Sequence, residues 1–243
     1  MKTEPARKPP GQFRSLVRAS HPRQALAFAA VVGLLVGLTR DDPAKEVAIS
    51  AAAVFVAQLI MGLLNDLFDA EIDRRSGATG KPVADGILPS GNVSFAIAVL
   101  LLVVIPLSLQ NGTVAGVFLL STLVVGFVHN RWLHTTYLSW VGWSATFALL
   151  TYFVTYGGWA REAAGSEPFT SFVLLSALLG FCVHFLTSLT DLVVDHQAGV
   201  RHLPLRVALH TGAPRLMILT LIATVATITA LVYTTALNAA IAR

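Results

Sequence analysis

Cysteine occurs once in the 243 residues, as Cys182, so an intramolecular disulfide and a cysteine-based metal site are both excluded. Charge is scarce too: Asp, Glu, Lys and Arg together make up 12% of the chain. Strand-period alternation is absent, which argues against a membrane barrel. What the chain has instead is apolar length. Hydrophobic residues are 55% of the sequence, in runs that approach the roughly 20 residues a helix needs to cross about 30 Å of hydrocarbon. A soluble core of this size would not hide them all.

Seven such runs follow one another: Ala25 to Leu38, Val47 to Leu64, Val93 to Leu109, Val114 to Val128, Leu138 to Tyr156, Phe169 to Leu189, and Leu216 to Leu237. The expected fold class is therefore an all-α integral membrane protein, a bundle of about seven transmembrane helices forming a single domain over 21–243. Residues 1–20, rich in Pro, Lys and Arg without helical periodicity, read as a basic N-terminal arm. A basic start ahead of an apolar run superficially resembles a signal peptide, but six further runs make it a first span. Trp140, Trp143 and Phe147 share a helical face and read as an interfacial aromatic belt.

The net charge of +4 is distributed by topology. The N-terminal tail, Asn65 to Asn92, His129 to Tyr137 and Thr190 to Arg215 carry thirteen Lys and Arg, and the other four segments carry four. By the positive-inside rule the first group is cytoplasmic, with the N-terminus in and the C-terminus out. A prokaryotic chain of this kind sits in the plasma membrane. The pattern follows membrane topology and membrane lipids, so no nucleic-acid partner is expected.

Against that scarcity of charge, Asn65 to Asp73 reads NDLFDAEID, four acids in nine residues at the mouth of the second run. Continued as a helix, Asn65, Asp69 and Asp73 fall at i, i+4 and i+8, with Asp66 seven before Asp73, so one face collects an amide and carboxylates. In the inner segment after the sixth run, Asp191 and Asp195 are likewise four apart. Oxygen ligands in such numbers, without thiolate or a well-placed His pair, suit a hard cation. Mg2+ takes a few carboxylates and completes its shell with water and substrate phosphate. Arg74, Arg75 and Lys81 trail the first motif, and Arg201 and Arg206 the second. Acids for a metal beside bases for phosphate oxygens describe a diphosphate site.

NDLFDAEID, then KPVADGILPSG, then DLVVDHQAGVRHLP, in that order after the second and sixth runs, resemble the UbiA-type intramembrane prenyltransferase superfamily. Its NDxxDxxxD signature stands on Asn65, Asp66, Asp69 and Asp73. Its DxxxD signature, followed by Gly and Leu-Pro, stands on Asp191, Asp195, Gly199, Leu203 and Pro204. The resemblance implies a helical bundle in which these six Asn and Asp residues hold Mg2+, with Asp69, Asp73, Asp191 and Asp195 catalytic. Lys81, Arg75 and Arg201 would meet the diphosphate of an isoprenyl donor whose tail lies among the helices. Family members often carry YNxxLK after the fourth span; this chain reads HNRWLH, which keeps Asn130 and puts His129 and His134 in the Tyr and Lys places. The family typically has nine spans where this sequence supplies seven.

The implied activity is Mg2+-dependent transfer of a prenyl group to an aromatic, quinone-precursor or lipid acceptor. A membrane terpene cyclase would ionise the same donor and let its own double bonds capture the cation. A transporter or noncatalytic lipid-binding protein is disfavoured because the charges cluster at span ends rather than near the bilayer midplane.

Overall fold

The computed structural model describes residues 11–39, 44–158 and 167–241. Among these it is all helix and turn, without a strand. The elements are α1 (Gln12–Ala19), α2 (Pro22–Thr39), α3 (Ala44–Ser76), α4 (Ser90–Leu109), α5 (Thr113–Val128), a π-helical segment (His129–Leu133), α6 (Ser139–Tyr156), α7 (Thr170–Ser188), α8 (Leu192–Gln197), α9 (Leu203–Thr211) and α10 (Ala213–Ile241).

Five helical stretches are long and apolar enough to cross a membrane: Ala44–Ser76, Ser90–Leu109, Thr113–Leu133, Thr170–Ser188 and Ala213–Thr234. The pair α1 and α2, bent by 45° at its break, makes a sixth. The remaining expected span, α6, is helical but diluted by Ser, Thr, Trp and Tyr. It packs most extensively against α5 and α7, with Gly142, Leu150 and Phe153 buried, so it is an interior helix of the bundle. Large apolar side chains such as Leu34, Phe95, Leu102, Val124, Leu174 and Ile222 stay exposed on the outer helix faces. Lipid is the solvent that makes such exposure favourable.

Two expectations change. The arm over 1–20 is helical from Gln12, where Ser15 and Ala19 bury against the bundle; Phe13, Leu16 and Val17 at i, i+3 and i+4 carry a helical period that the surrounding Pro, Lys and Arg obscure. Residues 1–10 lie outside the described part. Trp140, Trp143 and Phe147 do not form an outward belt: their rings pack on Phe181, His184 and Phe28 of neighbouring helices.

Close crossings hold the bundle. At Gly180 of α7 a Cβ would lie 2.6 Å from the Trp143 carbonyl of α6, and at Gly62 of α3 it would lie 2.5 Å from the Ser20 carbonyl. Only glycine lets these backbones approach so far, the usual device where lipid gives helices no hydrophobic reason to associate. A core of Val36, Val54, Leu119 and Phe153 joins α2, α3, α5 and α6. A second, with Leu63, Val83, Leu88 and Val93, clamps the α3–α4 loop onto α3. A third, with Phe185, Leu192, Leu205 and Leu216, ties α7 through α10 together. Each fully buried side chain of this kind is worth about 1.5–3 kcal/mol against water. The second and third cores therefore fix the two acid-bearing loops.

Candidate active site

Helix α3 needs only its first twenty or so residues to cross about 30 Å of hydrocarbon, which brings it to about Leu64. Its last turns carry the acids past that depth without a break. Asp66 is 1% exposed, and its Oδ2 accepts from the Val83 amide at 3.4 Å. Asn65 donates through Nδ2 to Asp69 Oδ2 at 2.5 Å, and Lys81 Nζ lies 3.4 Å from Asp73 Oδ2. The α3–α4 loop folds back to make these contacts. Asp85 N bonds Lys81 O, and both Ile87 N and Leu88 N bond Pro82 O.

Three buried carboxylate oxygens nevertheless receive no hydrogen bond: Asp66 Oδ1, Asp69 Oδ1 and Asp73 Oδ2. The Lys81 contact to the last, and a 3.0 Å approach of His134 Nε2 to Asp69 Oδ1, are close in distance but not aligned as hydrogen bonds. Buried acceptor oxygens are normally satisfied. Here three lack an aligned donor on one helix end, with Lys81 and His134 flanking two of them.

The second motif turns at the start of α8. Asp191 is the residue before the helix, Asp195 lies in its first turn, and Asp195 N bonds Asp191 O at 2.8 Å, so the four-residue spacing does set both on one helical turn. His202 then fixes Asp195. Its Nδ1 accepts from the Leu205 amide at 3.1 Å, capping α9. The proton must then sit on Nε2, which donates to Asp195 Oδ2 at 2.8 Å. One imidazole thus caps a helix and orients a carboxylate. The Asp191 carboxyl is raised above the usual carboxylate range, first by desolvation and then by the Asp195 charge.

The two motifs meet. Helices α3 and α8 are in contact, and Arg201 N bonds Thr135 O at 3.2 Å, linking the second acid loop to the segment after α5. A groove of about 280 Å³ between them is lined by Ile72, Thr135, Ala198, Gly199, Val200 and Arg201. Arg201 is exposed and has no carboxylate partner among the described residues. An apolar groove of about 500 Å³, with Leu16, Leu59, Leu63, Phe95 and Leu100 in its walls, opens between α1, α3 and α4 and contains no acid.

HNRWLH folds as a π turn. His134 N bonds His129 O at 2.9 Å, an i to i+5 closure that brings residues five apart onto one side, where α-helical spacing would separate them. The rings of His129 and His134 are 6.4 Å apart, and Asn130 is buried. Burial by itself would lower the His134 pKa, but Asp69 beside it and Asp195 beyond outweigh that and hold it above the ordinary imidazole value. His134 therefore feels both motifs at once.

Of the residues the sequence singles out, Asn65, Asp66, Asp69, Asp73, Lys81, Asn130, His134, Asp191, Asp195 and Arg201 are gathered at this end of the bundle. Arg75 lies at the same helix end but is exposed and pairs with Glu71 at 3.0 Å, and Arg74 also pairs with Glu71. Sequence reading missed the roles of His202 and Ser139. The His-Leu-Pro after Gly199 carried a signal for the first, since Pro at the start of a helix directs attention to the residue before it as a cap.

Among the described residues no three His, Cys, Asp or Glu side chains converge on one point. The site therefore offers carboxylates from two touching helices, three of their buried oxygens without an aligned donor. That donor set fits a hard cation that completes its shell with water and phosphate oxygens, and does not fit a caged structural metal.

Comparison with known proteins agrees in kind. The model of the UbiA prenyltransferase family matches residues 26–242. No curated protein matches the sequence. A UbiA homolog from Archaeoglobus fulgidus bound to GPP and Mg2+ has a similar fold, with TM-score 0.69 and 14% identity, covering 88% of this chain and 75% of that one. A structure of a UbiA homolog from the same organism bound to DMAPP and Mg2+ gives 0.68 and 15%, over 93% and 87%. A digeranylgeranylglyceryl phosphate synthase structure gives 0.58 and 17%, over 87% and 76%. At such identities these likenesses bear on the fold alone.

Proposed function

The chain belongs to the UbiA prenyltransferase family, and from that premise we propose that it ionises an isoprenyl diphosphate with Mg2+ and transfers the prenyl group to an aromatic, quinone-precursor or lipid acceptor. The observation that carries this reading is the set of buried oxygens without an aligned donor on Asp66, Asp69 and Asp73, on a helix in contact with the one that bears Asp195, with Lys81 and Arg201 close by. The similar structures bound to GPP or DMAPP with Mg2+ support the same chemistry.

In this reading Asp66, Asp69 and Asp73, with Asn65 orienting Asp69, would hold one side of the metal–diphosphate complex, and Asp191 and Asp195 the other. Bound Mg2+ neutralises negative charge as it develops on the leaving diphosphate. His202 keeps Asp195 aimed inward. Lys81 and Arg201 pair with diphosphate oxygens, the first from a partly buried position and the second from the groove wall. Both loops lie at the end of the bundle that the basic residues assign to the cytoplasm. A polar headgroup thus enters from water while its tail follows the helices into the apolar interior.

Full-length protein in liposomes, supplied with Mg2+ and geranyl, farnesyl or geranylgeranyl diphosphate, with and without aromatic acceptors, tests the reading by mass spectrometry. An acceptor adduct is expected. A cyclic hydrocarbon in its place would make the chain a cyclase, and intact donor throughout would refute both.

A further inference from the structure

Four imidazoles form a continuous line beneath the two acid motifs. His134, next to Asp69, is 6.4 Å from His129 by ring centroid; His129 is 6.2 Å from His184; His184 is 6.5 Å from His202, which is bonded to Asp195. They come from the π segment, from α7 and from the loop before α9, so the fold and not local sequence assembles them. The two outer rings are engaged by the carboxylates. The two inner ones are not used by donor binding, and no carboxylate is within ion-pair distance of either among the described residues.

The inner rings differ in what they can do. His129 Nδ1 is buried without a partner, packed where a Cβ on Gly142 would come within 2.6 Å. A proton added there would be an N–H with nothing to receive it. His184 differs in having a partner at one ring nitrogen. Its Nε2 is 2.8 Å from Ser139 Oγ, itself fully buried. When Nε2 donates to Ser139, Nδ1 presents a lone pair, and a second proton can enter there without breaking the first bond. The Trp143 ring lies 5.9 Å away at a 31° tilt, within the range at which an aromatic face favours a cation. His184 is buried, 6% exposed.

We propose that His184 is the proton acceptor of the transfer reaction. The proposal rests on the prenyl-transfer reading and deepens it: the acceptor is a group that must shed a proton, as an aromatic carbon does. The C1–O bond of the donor breaks and its electron pair leaves with diphosphate. A π pair of the acceptor ring forms the new bond to C1. The C–H bond at that ring carbon then breaks; its pair restores the ring, and its proton goes to His184 Nδ1. Carboxylates committed to metal cannot serve, and His134 and His202 are each engaged by one of them, which leaves His184 as the base of the line. The imidazolium returns its proton to water before the next turnover.

The test uses full-length protein in liposomes with Mg2+, geranyl diphosphate and 2-naphthol as a generic aromatic acceptor. Inorganic diphosphate, naphthol adduct, geranyl-derived olefin and geranyl-derived alcohol are counted together. Adduct and olefin both require loss of a carbon-bound proton, whereas the alcohol arises from water capture. In His184→Gln the ratio of deprotonated products to diphosphate should fall at least about tenfold, the lower end of what a positioned base contributes, with alcohol taking their place. Ser139→Ala, which keeps the base but unties its ring, should lower the same ratio by less. The proposal is overturned if the ratio is unchanged in His184→Gln, or if Ser139→Ala, folded and releasing diphosphate, keeps the wild-type ratio. Absence of diphosphate release by the wild type would instead refute the transferase reading beneath it.

Discussion

His202 joins two functions that substitution can separate. Its Nδ1 caps α9 through the Leu205 amide, and its Nε2 holds Asp195. Asn at this position has a side-chain oxygen suited to an N-cap but is too short to reach Asp195; Phe fills the space and does neither. Losing a cap costs about 1 kcal/mol, and in a chain of this size each such unit shifts Tm by ~2–4 °C. His202→Phe should therefore lower the detergent-extracted Tm by about that much, and His202→Asn by much less. Both variants leave Asp195 unheld. Removing the partner that orients a metal-binding carboxylate typically costs 10–100-fold in affinity, so the Mg2+ concentration for half-maximal diphosphate release should rise by about that factor in both. Paired Tm measurements and Mg2+ titrations decide. Equal destabilisation by Asn and Phe would refute the cap, and an unchanged Mg2+ dependence would refute the link from His202 through Asp195 to the metal.

Gly142→Ala should push His129 off α6, since the added Cβ falls 2.6–2.7 Å from three atoms of that residue. Overpacking of this kind costs about 1–3 kcal/mol, and His129→Ala in the same chain should restore most of it in a double-mutant cycle; additive effects would deny the contact. Lys81→Ala should raise the KM for the donor several-fold while Arg75→Ala leaves it unchanged, because Arg75 is taken by Glu71; the reverse order would show that the loop cations are misassigned. Asp191 has a folded pKa above its ordinary value, so its ionisation opposes folding above that pKa and is neutral to folding below the unfolded one. Asp191→Asn should accordingly stabilise the metal-free protein near pH 7, by under about 1 kcal/mol given its exposure, with the gain vanishing below about pH 4. A thermal-melt series across pH that showed the gain growing in acid would contradict the sign.

Much of the bundle was legible because apolar length and acid spacing are local properties. NDLFDAEID lies on one uninterrupted helix, so i to i+4 arithmetic placed Asn65, Asp69 and Asp73 correctly, and Asp191 with Asp195 as well. Features that depend on another element were not legible. His129 and His134 share a side only because the backbone closes a π turn, and sequence spacing would part them. Arg75 looked like a phosphate-binding cation until Glu71, one helical turn earlier, proved to engage it. His184 is one polar residue in an apolar run; nothing local says that Ser139, 45 positions away, would bind its ring. The short helix α1 was legible in part, since Phe13, Leu16 and Val17 keep a helical spacing, but the burial of Ser15 and Ala19 depends on the bundle they meet.

The central claim is that neither metal nor diphosphate has a complete site without the other, because the acids come from two elements and, among the described residues, no three side chains converge. Mn2+ in place of Mg2+ makes this directly measurable by the loss of the free-ion EPR signal on titration of the reconstituted protein, with and without inorganic diphosphate. Diphosphate should tighten Mn2+ binding at least about tenfold, Mn2+ should tighten diphosphate binding by the same factor as linkage requires, and Asp69→Asn should remove the coupling. Equally tight Mn2+ binding with diphosphate absent, or coupling that survives in Asp69→Asn, would contradict it.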